Sequence, residues 1–318
     1  MRTTDAAVLQ RALDLGINYI DTAHSYQDGN NEVMVGNVMK NRRQDAYIAT
    51  KVRSTSADEM RAMVETSLRR LQTDVIDVLQ LHGLQTKEEV NNETAMEVLT
   101  RLKQEGKIRF MGFSTHRNQA EVIRAAVANR FYDVILVAYN FNSDNSVKEA
   151  IAEAAKVGIG IVAMKTQAGG YKTTKMGSLS PHQAALKWVL QDRNVATTIP
   201  SMVTFAQLEE NIQVMGSKMG WQDWKTLDRY ARSIDKLYCR ICDSCAGTCP
   251  HGVAISDVNR CLMYAEGYGD LILAQQSYRD IPLSVNASQC RTCRTCMAKC
   301  VHGINIGQKM KLANQLFC

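Results

Sequence analysis

Four side chains that could move a proton occur within the first 82 residues, each after an apolar stretch: Asp21, Tyr26, Lys51 and His82. A tyrosine phenol ordinarily keeps its proton up to about pH 10, so it is a poor acid at neutral pH unless a cation favours the phenolate. Lys51 can supply that cation, Asp21 can orient the ammonium, and His82 can donate a hydrogen bond. Taken singly, each residue also has an ordinary reading as a helix cap, a packing residue or a solvated side chain.

Alternating strands and helices position these residues. Apolar and β-branched runs predict strands at 18–22, 46–52, 75–82, 108–115, 132–140, 159–166 and 195–200. Helical spacing of apolar residues predicts helices at 6–15, 31–41, 57–71, 93–105, 117–129, 145–156, 181–191 and 204–215. Such a series indicates an α/β fold with parallel strands, a (β/α)8 TIM barrel, in which catalytic groups collect at the carboxyl ends of the strands.

The first strand of this barrel is missing from the chain, because no predicted strand precedes helix 6–15. An open barrel exposes the backbone edges of its end strands, which favours aggregation. Another segment could cover the gap, or Met1 lies inside a longer natural reading frame. We favour the second explanation, in which case a targeting signal could have been lost with the strand.

Composition narrows the class of protein. The 318 residues, 45% of them hydrophobic, are enough for one barrel with an appended module. The net charge of +6 is spread along the chain without basic blocks, so we expect no nucleic-acid partner. No apolar run reaches the roughly 18 residues that span a bilayer, and no signal-peptide hydrophobic region follows Met1. We therefore expect a cytoplasmic protein without a membrane span.

The order of the four residues, Asp-x4-Tyr with a Lys and a His ending the next two strands, resembles the catalytic tetrad of the aldo-keto reductases. The resemblance covers about residues 5–217. It also includes Asn31-Glu32-x3-Gly36, Gly112-Phe113-Ser114, Tyr139-Asn140, Ile199-Pro200 and Glu210-Asn211. In that family a nicotinamide cofactor gives hydride to an aldehyde or ketone while a tyrosine supplies the proton. The resemblance thus implies NAD(P)H-dependent carbonyl reduction, or the reverse alcohol oxidation, with Tyr26 as the proton donor.

The resemblance also implies a dinucleotide site formed by Ser114, Tyr139, Asn140, Lys165, Ser201, Gln207, Glu210 and Asn211. Segment 201–203 and Gln207 contain no cation where NADPH-preferring relatives carry basic residues. Leu136 replaces a Gln that contacts the nicotinamide carboxamide, and Thr115 replaces an Asn. The resemblance therefore leaves both NAD and NADP as alternatives for the cofactor. Lys165 could contact a pyrophosphate or an acidic substrate, or could be an ordinary solvated lysine.

A cysteine motif with gaps of two, two and three residues occurs twice beyond Trp224, offset by 51 residues. The runs are Cys239, Cys242, Cys245 and Cys249, then Cys290, Cys293, Cys296 and Cys300. Three close thiolates can hold one face of a four-iron cubane, and the fourth ligand commonly comes from the other run. We predict two [4Fe–4S] clusters, held by Cys239, Cys242, Cys245 and Cys300 and by Cys290, Cys293, Cys296 and Cys249. Zinc and disulfides are the alternatives, although zinc sites usually pair two Cys-x-x-Cys units.

We therefore expect an aldo-keto reductase-like barrel over 1–222 and a small α-helical, ferredoxin-like domain over 223–318, with a helix at 255–276. Hydride carries two electrons and a [4Fe–4S] centre passes one, so direct exchange needs a flavin or radical intermediate. The clusters could be structural, could dock a redox partner protein, or could serve another reaction. The alternative function is an electron-transfer or interaction protein with a non-catalytic barrel.

Overall fold

The computed structural model describes residue 3 and residues 5–171 and 180–318. The chain divides into two compact units. The first comprises Met1–Thr166 and Leu186–Met219, and the second comprises Gln167–Ala185 and Gly220–Cys318. The division near residue 220 lies close to the predicted boundary at 222, but the segment 167–185, which we assigned to the barrel, groups with the second unit.

The first unit contains a parallel sheet whose seven strands neighbour one another in chain order. The strands are β1 (Tyr19–Asp21), β2 (Tyr47–Val52), β3 (Ile76–Leu81), β4 (Ile108–Thr115), β5 (Val134–Ala138), β6 (Gly160–Met164) and β7 (Thr197–Thr198). All six neighbouring pairs are parallel, as crossover helices require. The predicted α/β barrel architecture is confirmed, and each strand lies within its predicted range.

Helices alternate with these strands. They are α1 (Ala6–Asp14), α2 (Asn30–Met39), α3 (Ala57–Leu71), α4 (Lys87–Val90), α5 (Glu93–Gln104), α6 (Gln119–Asn129), α7 (Asn145–Lys156), α8 (Pro181–Leu190) and α9 (Phe205–Ile212). Only the short α4 has no predicted counterpart. Side chains of Asp5, Ser56, Asn92 and Thr204 accept hydrogen bonds from the first backbone N–H groups of their helices, which fixes where those helices begin.

Alternate residues of each strand face opposite sides of the sheet. Ile20 of β1 and Ile48 of β2 belong to the main core, which also contains apolar residues of the helices. Leu136 of β5 and Val162 of β6 belong to a separate apolar cluster on the other face. That second face is the interior of the barrel. Residues that point to this face at the carboxyl ends of the strands lie at the rim.

The second unit is α-helical. Its remaining helices are α10 (Trp221–Ile234), α11 (Ile255–Glu266), α12 (Leu271–Arg279) and α13 (Ile306–Phe317). The prediction of a single helix at 255–276 is wrong, because α11 ends at Glu266 and α12 begins only at Leu271. A Cβ atom on Gly267 would lie 2.1 Å from the carbonyl oxygen of Gly169, and Gly269 has a positive φ of 68°. Gly267 has no room for a side chain, and the left-handed backbone of Gly269 favours glycine. A left-handed residue of this kind commonly ends a helix.

Helix length and hydropathy also bear on the membrane question. Across the described ranges, no helix combines the length and the apolar character needed to cross a bilayer.

Candidate active site and cysteine motifs

Asp21 and Lys51 form a buried ion pair at the carboxyl ends of β1 and β2. Lys51 Nζ donates to Asp21 Oδ1 and to the backbone oxygen of Thr22, the latter at 2.7 Å. The side chains of Lys51 and Asp21 are only 1% and 3% exposed. Because a buried charge without its partner is costly, each side chain holds the other in place. The ammonium is thus a fixed positive charge at the rim.

Tyr26 and His82 complete the group around this ammonium. Tyr26 follows β1 in the next loop, and Lys51 Nζ lies 5.0 Å from the centroid of its ring. His82 follows β3, and its ring centroid is 5.9 Å from that of Tyr26, with the two planes at 75°. The structure therefore brings the four predicted residues together. A partly exposed phenol lies beside a cation and an imidazole, which is the arrangement that proton transfer to an oxygen requires.

A second phenol, Tyr19, belongs to the same face of β1 as Asp21. Burial, and after it the negative charge of Asp21, raises the pKa of Tyr19 well above its ordinary value. Tyr19 therefore keeps its proton at neutral pH. The hydroxyl of Tyr19 is buried, whereas Tyr26 is partly exposed and lies beside Lys51.

A hydrogen-bonded network that the sequence did not reveal supports the loop that carries Tyr26. Arg70, on α3, donates to the backbone oxygen of His24 at 3.0 Å and to Glu32 Oε2 at 3.3 Å. The side chain of Glu32 is fully buried and also accepts from Thr50 Oγ1 at 2.6 Å. The network ties the loop after β1 to α2, α3 and β2, so it limits movement of Tyr26 relative to Lys51.

Two glycines allow Arg70 to approach this loop. A Cβ atom on Gly29, whose φ is 91°, would lie 2.1 Å from the guanidinium carbon of Arg70. A Cβ atom on Gly36 would lie 2.2 Å from the backbone oxygen of Arg70. The sequence match Asn31-Glu32-x3-Gly36 therefore has a physical basis in close packing. Arg70 itself was missed because a single arginine on an amphipathic helix ordinarily indicates a solvated face.

Two predicted cofactor residues lie buried where strands end. Ser114, in β4, accepts a hydrogen bond from the backbone N–H of Gly83 at 2.9 Å. Asn140, just after β5, donates through Nδ2 to the backbone oxygen of Lys165 at 3.0 Å. Lys165 follows β6 and has a positive φ of 57°. The hydrogen bond between Asn140 and Lys165 thus joins the loops that follow β5 and β6.

The other predicted contacts follow β7. Ser201, Gln207 and Glu210 are partly exposed, and Asn211 is buried. Gln207 Oε1 accepts a hydrogen bond from the backbone N–H of Val203 at 2.8 Å, which orders the turn before α9. These residues lie after the last strand and along α9, on the side of the barrel where parallel strands end.

Tyr139 requires a correction. Tyr139 lies an even number of positions from Ile135 and Val137, so its side chain lies on the same face of the strand as theirs. Ile135 and Val137 belong to the main core, on the outer face of β5. Its hydroxyl donates to Asp192 Oδ2 at 2.8 Å, and its ring centroid is 5.2 Å from that of Trp188. Only 1% of Tyr139 is exposed. The side chain therefore packs against helices and does not face the rim, where a cofactor would bind.

The cysteines of the second unit gather in two groups. One cavity is lined by residues that include Cys239, Cys242, Cys245 and Cys300. Burial and the neighbouring thiolates raise the pKa of Cys239 to about 12. Burial, together with the charges of Cys249, Cys293 and Cys296, raises the pKa of Cys290 to about 11. None of the ten cysteines is joined to another by a disulfide. In the described part of the chain, no three His, Cys, Asp or Glu side chains are grouped so as to hold one metal ion.

The fold and the site define a class of protein: a parallel α/β barrel with a tyrosine, a lysine, an aspartate and a histidine at its rim. The sequence pattern of the aldo/keto reductase family matches residues 2–183 and 172–232. The chain therefore belongs to the aldo/keto reductase family and is an NAD(P)-dependent oxidoreductase. Both cysteine runs lie beyond residue 232, outside the matched region.

Individual relatives agree with this assignment. The oxidoreductase YqkF of Bacillus subtilis is 30% identical over 256 residues, which is 67% of this chain and 82% of that protein. The methylglyoxal reductase YeaE of Escherichia coli is 26% identical over 247 residues, 72% of this chain and 84% of that protein. The structure of an aldo/keto reductase from Klebsiella pneumoniae in complex with NADP and acetate superimposes with a TM-score of 0.60 at 25% identity, covering 72% of this chain and 85% of that one.

Proposed function

We propose that this oxidoreductase reduces an aldehyde or ketone with NAD(P)H, or oxidises the alcohol in the reverse direction, and that Tyr26 is the proton donor. The observation that carries this function is the convergence of Tyr26, Lys51, Asp21 and His82. The name of the Escherichia coli relative, methylglyoxal reductase, supports a small carbonyl compound as the substrate class.

Each residue has a distinct task in this reaction. When bound, NAD(P)H supplies a hydride to the carbonyl carbon. Tyr26 gives its proton to the carbonyl oxygen, and the ammonium of Lys51 stabilises the phenolate that remains. Asp21 keeps that ammonium in place. His82 donates a hydrogen bond to the same oxygen and so orients the carbonyl carbon.

The residues at the rim fit a dinucleotide. Leu136 and Val162 belong to an apolar cluster in the barrel interior, which suits the flat nicotinamide ring. The N-terminus of α9 provides backbone N–H groups for a phosphate. We propose that the cofactor contacts are Ser114, Asn140, Lys165, Ser201, Gln207, Glu210 and Asn211. Tyr139 is left out because of its outward placement.

We expect NADPH and NADH to bind with affinities within about tenfold of each other. A charge-assisted hydrogen bond to the 2′-phosphate contributes about 1.5–3 kcal/mol, and segment 201–207 contains no Arg or Lys to make one. Anaerobic fluorescence titration of both nucleotides measures the preference. As a matched variant, Val203→Arg adds a cation to this turn and should tighten NADPH by about tenfold, with NADH unchanged. A preference of the natural chain above a hundredfold would contradict the assignment.

The second unit holds two [4Fe–4S] clusters in this proposal, one ligated by Cys239, Cys242, Cys245 and Cys300 and the other by Cys290, Cys293, Cys296 and Cys249. The cavity that Cys239, Cys242, Cys245 and Cys300 share supports the first set. The spacing of each run supports both sets. Each iron of a cubane takes one thiolate, so its ligands stand farther apart than those of one zinc ion. Because such clusters pass single electrons, we propose a one-electron redox partner protein.

Chain prepared without oxygen should contain about eight irons and as many acid-labile sulfides. Cys300→Ala should leave about four irons, because one cluster loses its fourth thiolate. Cys318→Ser, which changes a cysteine outside both runs, should keep all eight. Iron and sulfide analysis with visible and electron paramagnetic resonance spectra measures this. Zinc instead of iron, or an unchanged iron content in Cys300→Ala, would rule out these ligand sets.

A further inference from the structure

Asn259, on α11, is a buried amide that faces the first group of cysteines. It lines the same cavity as Cys239, Cys242, Cys245 and Cys300. The residue is only 4% exposed, and neither Nδ2 nor Oδ1 has a hydrogen-bond partner among the described residues. A buried polar group without a partner is destabilising. The position of Asn259 on the wall of this cavity points to a partner that occupies the cavity.

The internal repeat shows that this amide belongs to one site only. With the offset of 51 residues, Asn259 in the first repeat corresponds to Met310 in the second. Met310 is 3% exposed and packs in the apolar core of the second unit. The side chain of methionine has no N–H to donate. The two cysteine sets therefore differ in one hydrogen-bond donor at an equivalent position.

We infer that Asn259 donates a hydrogen bond through Nδ2 to a sulfur of the cluster held by Cys239, Cys242, Cys245 and Cys300, and so raises its reduction potential. This role rests on the proposed clusters. Reduction adds one negative charge to the cluster, and a hydrogen bond to a more negative sulfur is stronger. The donor consequently stabilises the reduced form more than the oxidised form, which is a recognised way in which proteins set cluster potentials.

The test is an anaerobic redox titration of the holoprotein, monitored by electron paramagnetic resonance. Asn259→Leu keeps the branching at Cγ and removes the donor. One of the two cluster steps should shift about tenfold toward the oxidised form, about 59 mV more negative, and the other step should not move. Met310→Leu, the matched control at the equivalent position, should shift neither step. Met310→Asn should instead raise the potential of the second cluster.

Iron content separates the possible failures. A natural chain without iron would remove the proposed clusters themselves. If the clusters are present, full iron in Asn259→Leu with both potentials unchanged would overturn the role of Asn259 and indicate a structural amide. If Asn259→Leu does not retain iron, Asn259→Ala removes the donor with a smaller, uncharged side chain. A lower potential in Asn259→Ala supports the hydrogen bond, and an unchanged potential overturns it.

Discussion

Tyr26→Phe should lower kcat for carbonyl reduction by about 10²–10⁴-fold, the usual contribution of a positioned acid. The change removes only the hydroxyl that gives the proton, while the ring can keep its place beside Lys51 and His82. Nucleotide affinity should stay nearly unchanged, because no proposed cofactor contact is altered. Steady-state oxidation of NAD(P)H with a panel of aldehydes gives kcat, and a fluorescence titration gives the affinity.

Tyr47→Phe is the matched control for this prediction. Tyr47 begins β2, at the opposite end of the strand from Lys51, and is 51% exposed. Removing its hydroxyl should leave kcat and nucleotide affinity within about twofold of the natural chain, as expected for a solvated group far from the rim. Full activity of Tyr26→Phe would exclude Tyr26 as the proton donor.

Lys51→Met should strongly destabilise the barrel and should also abolish reduction. It leaves the carboxylate of Asp21 buried without its cation, and breaking a buried ion pair in this way costs about 3–5 kcal/mol. Activity is lost as well, because no positive charge remains to favour the Tyr26 phenolate. Urea unfolding, followed by far-UV circular dichroism, measures the change in the free energy of unfolding.

The double variant Asp21→Asn with Lys51→Met separates the two effects. It removes both charges, so most of the lost free energy of unfolding should return, whereas activity should not. A single Lys51→Met variant within about 1 kcal/mol of the natural chain would show that the pair is not held as a buried unit.

The convergence of the four proposed catalytic residues could be predicted because strand ends of a parallel barrel share one rim, so residues at successive strand ends lie close together. The same rule was sufficient to predict the ion pair between Asp21 and Lys51. Arg70 could not be predicted in this way. Arg70 can approach the loop only because Gly29 and Gly36 have no side chains. A glycine in the sequence does not reveal which distant residue packs against it.

Tyr139 shows where strand patterns give no answer. Strands of a parallel barrel are covered on both faces, so β5 reads as an unbroken apolar run without a polar side. Its parity emerges only from packing, with Ile135 and Val137 against the helices and Leu136 in the interior. The position of Asn259 could not be predicted either, because the sequence of an apolar helix does not show that a single amide faces a cavity.

The proposed function requires this barrel to transfer hydride to a carbonyl compound. The most direct measurement incubates the iron-loaded chain anaerobically with an aldehyde panel and NAD(P)H doubly deuterated at the nicotinamide C4, then analyses the alcohol by mass spectrometry. We predict one deuterium on the former carbonyl carbon. Bound nucleotide and intact clusters without any labelled alcohol would contradict the reductase function and favour an electron-transfer protein with a non-catalytic barrel.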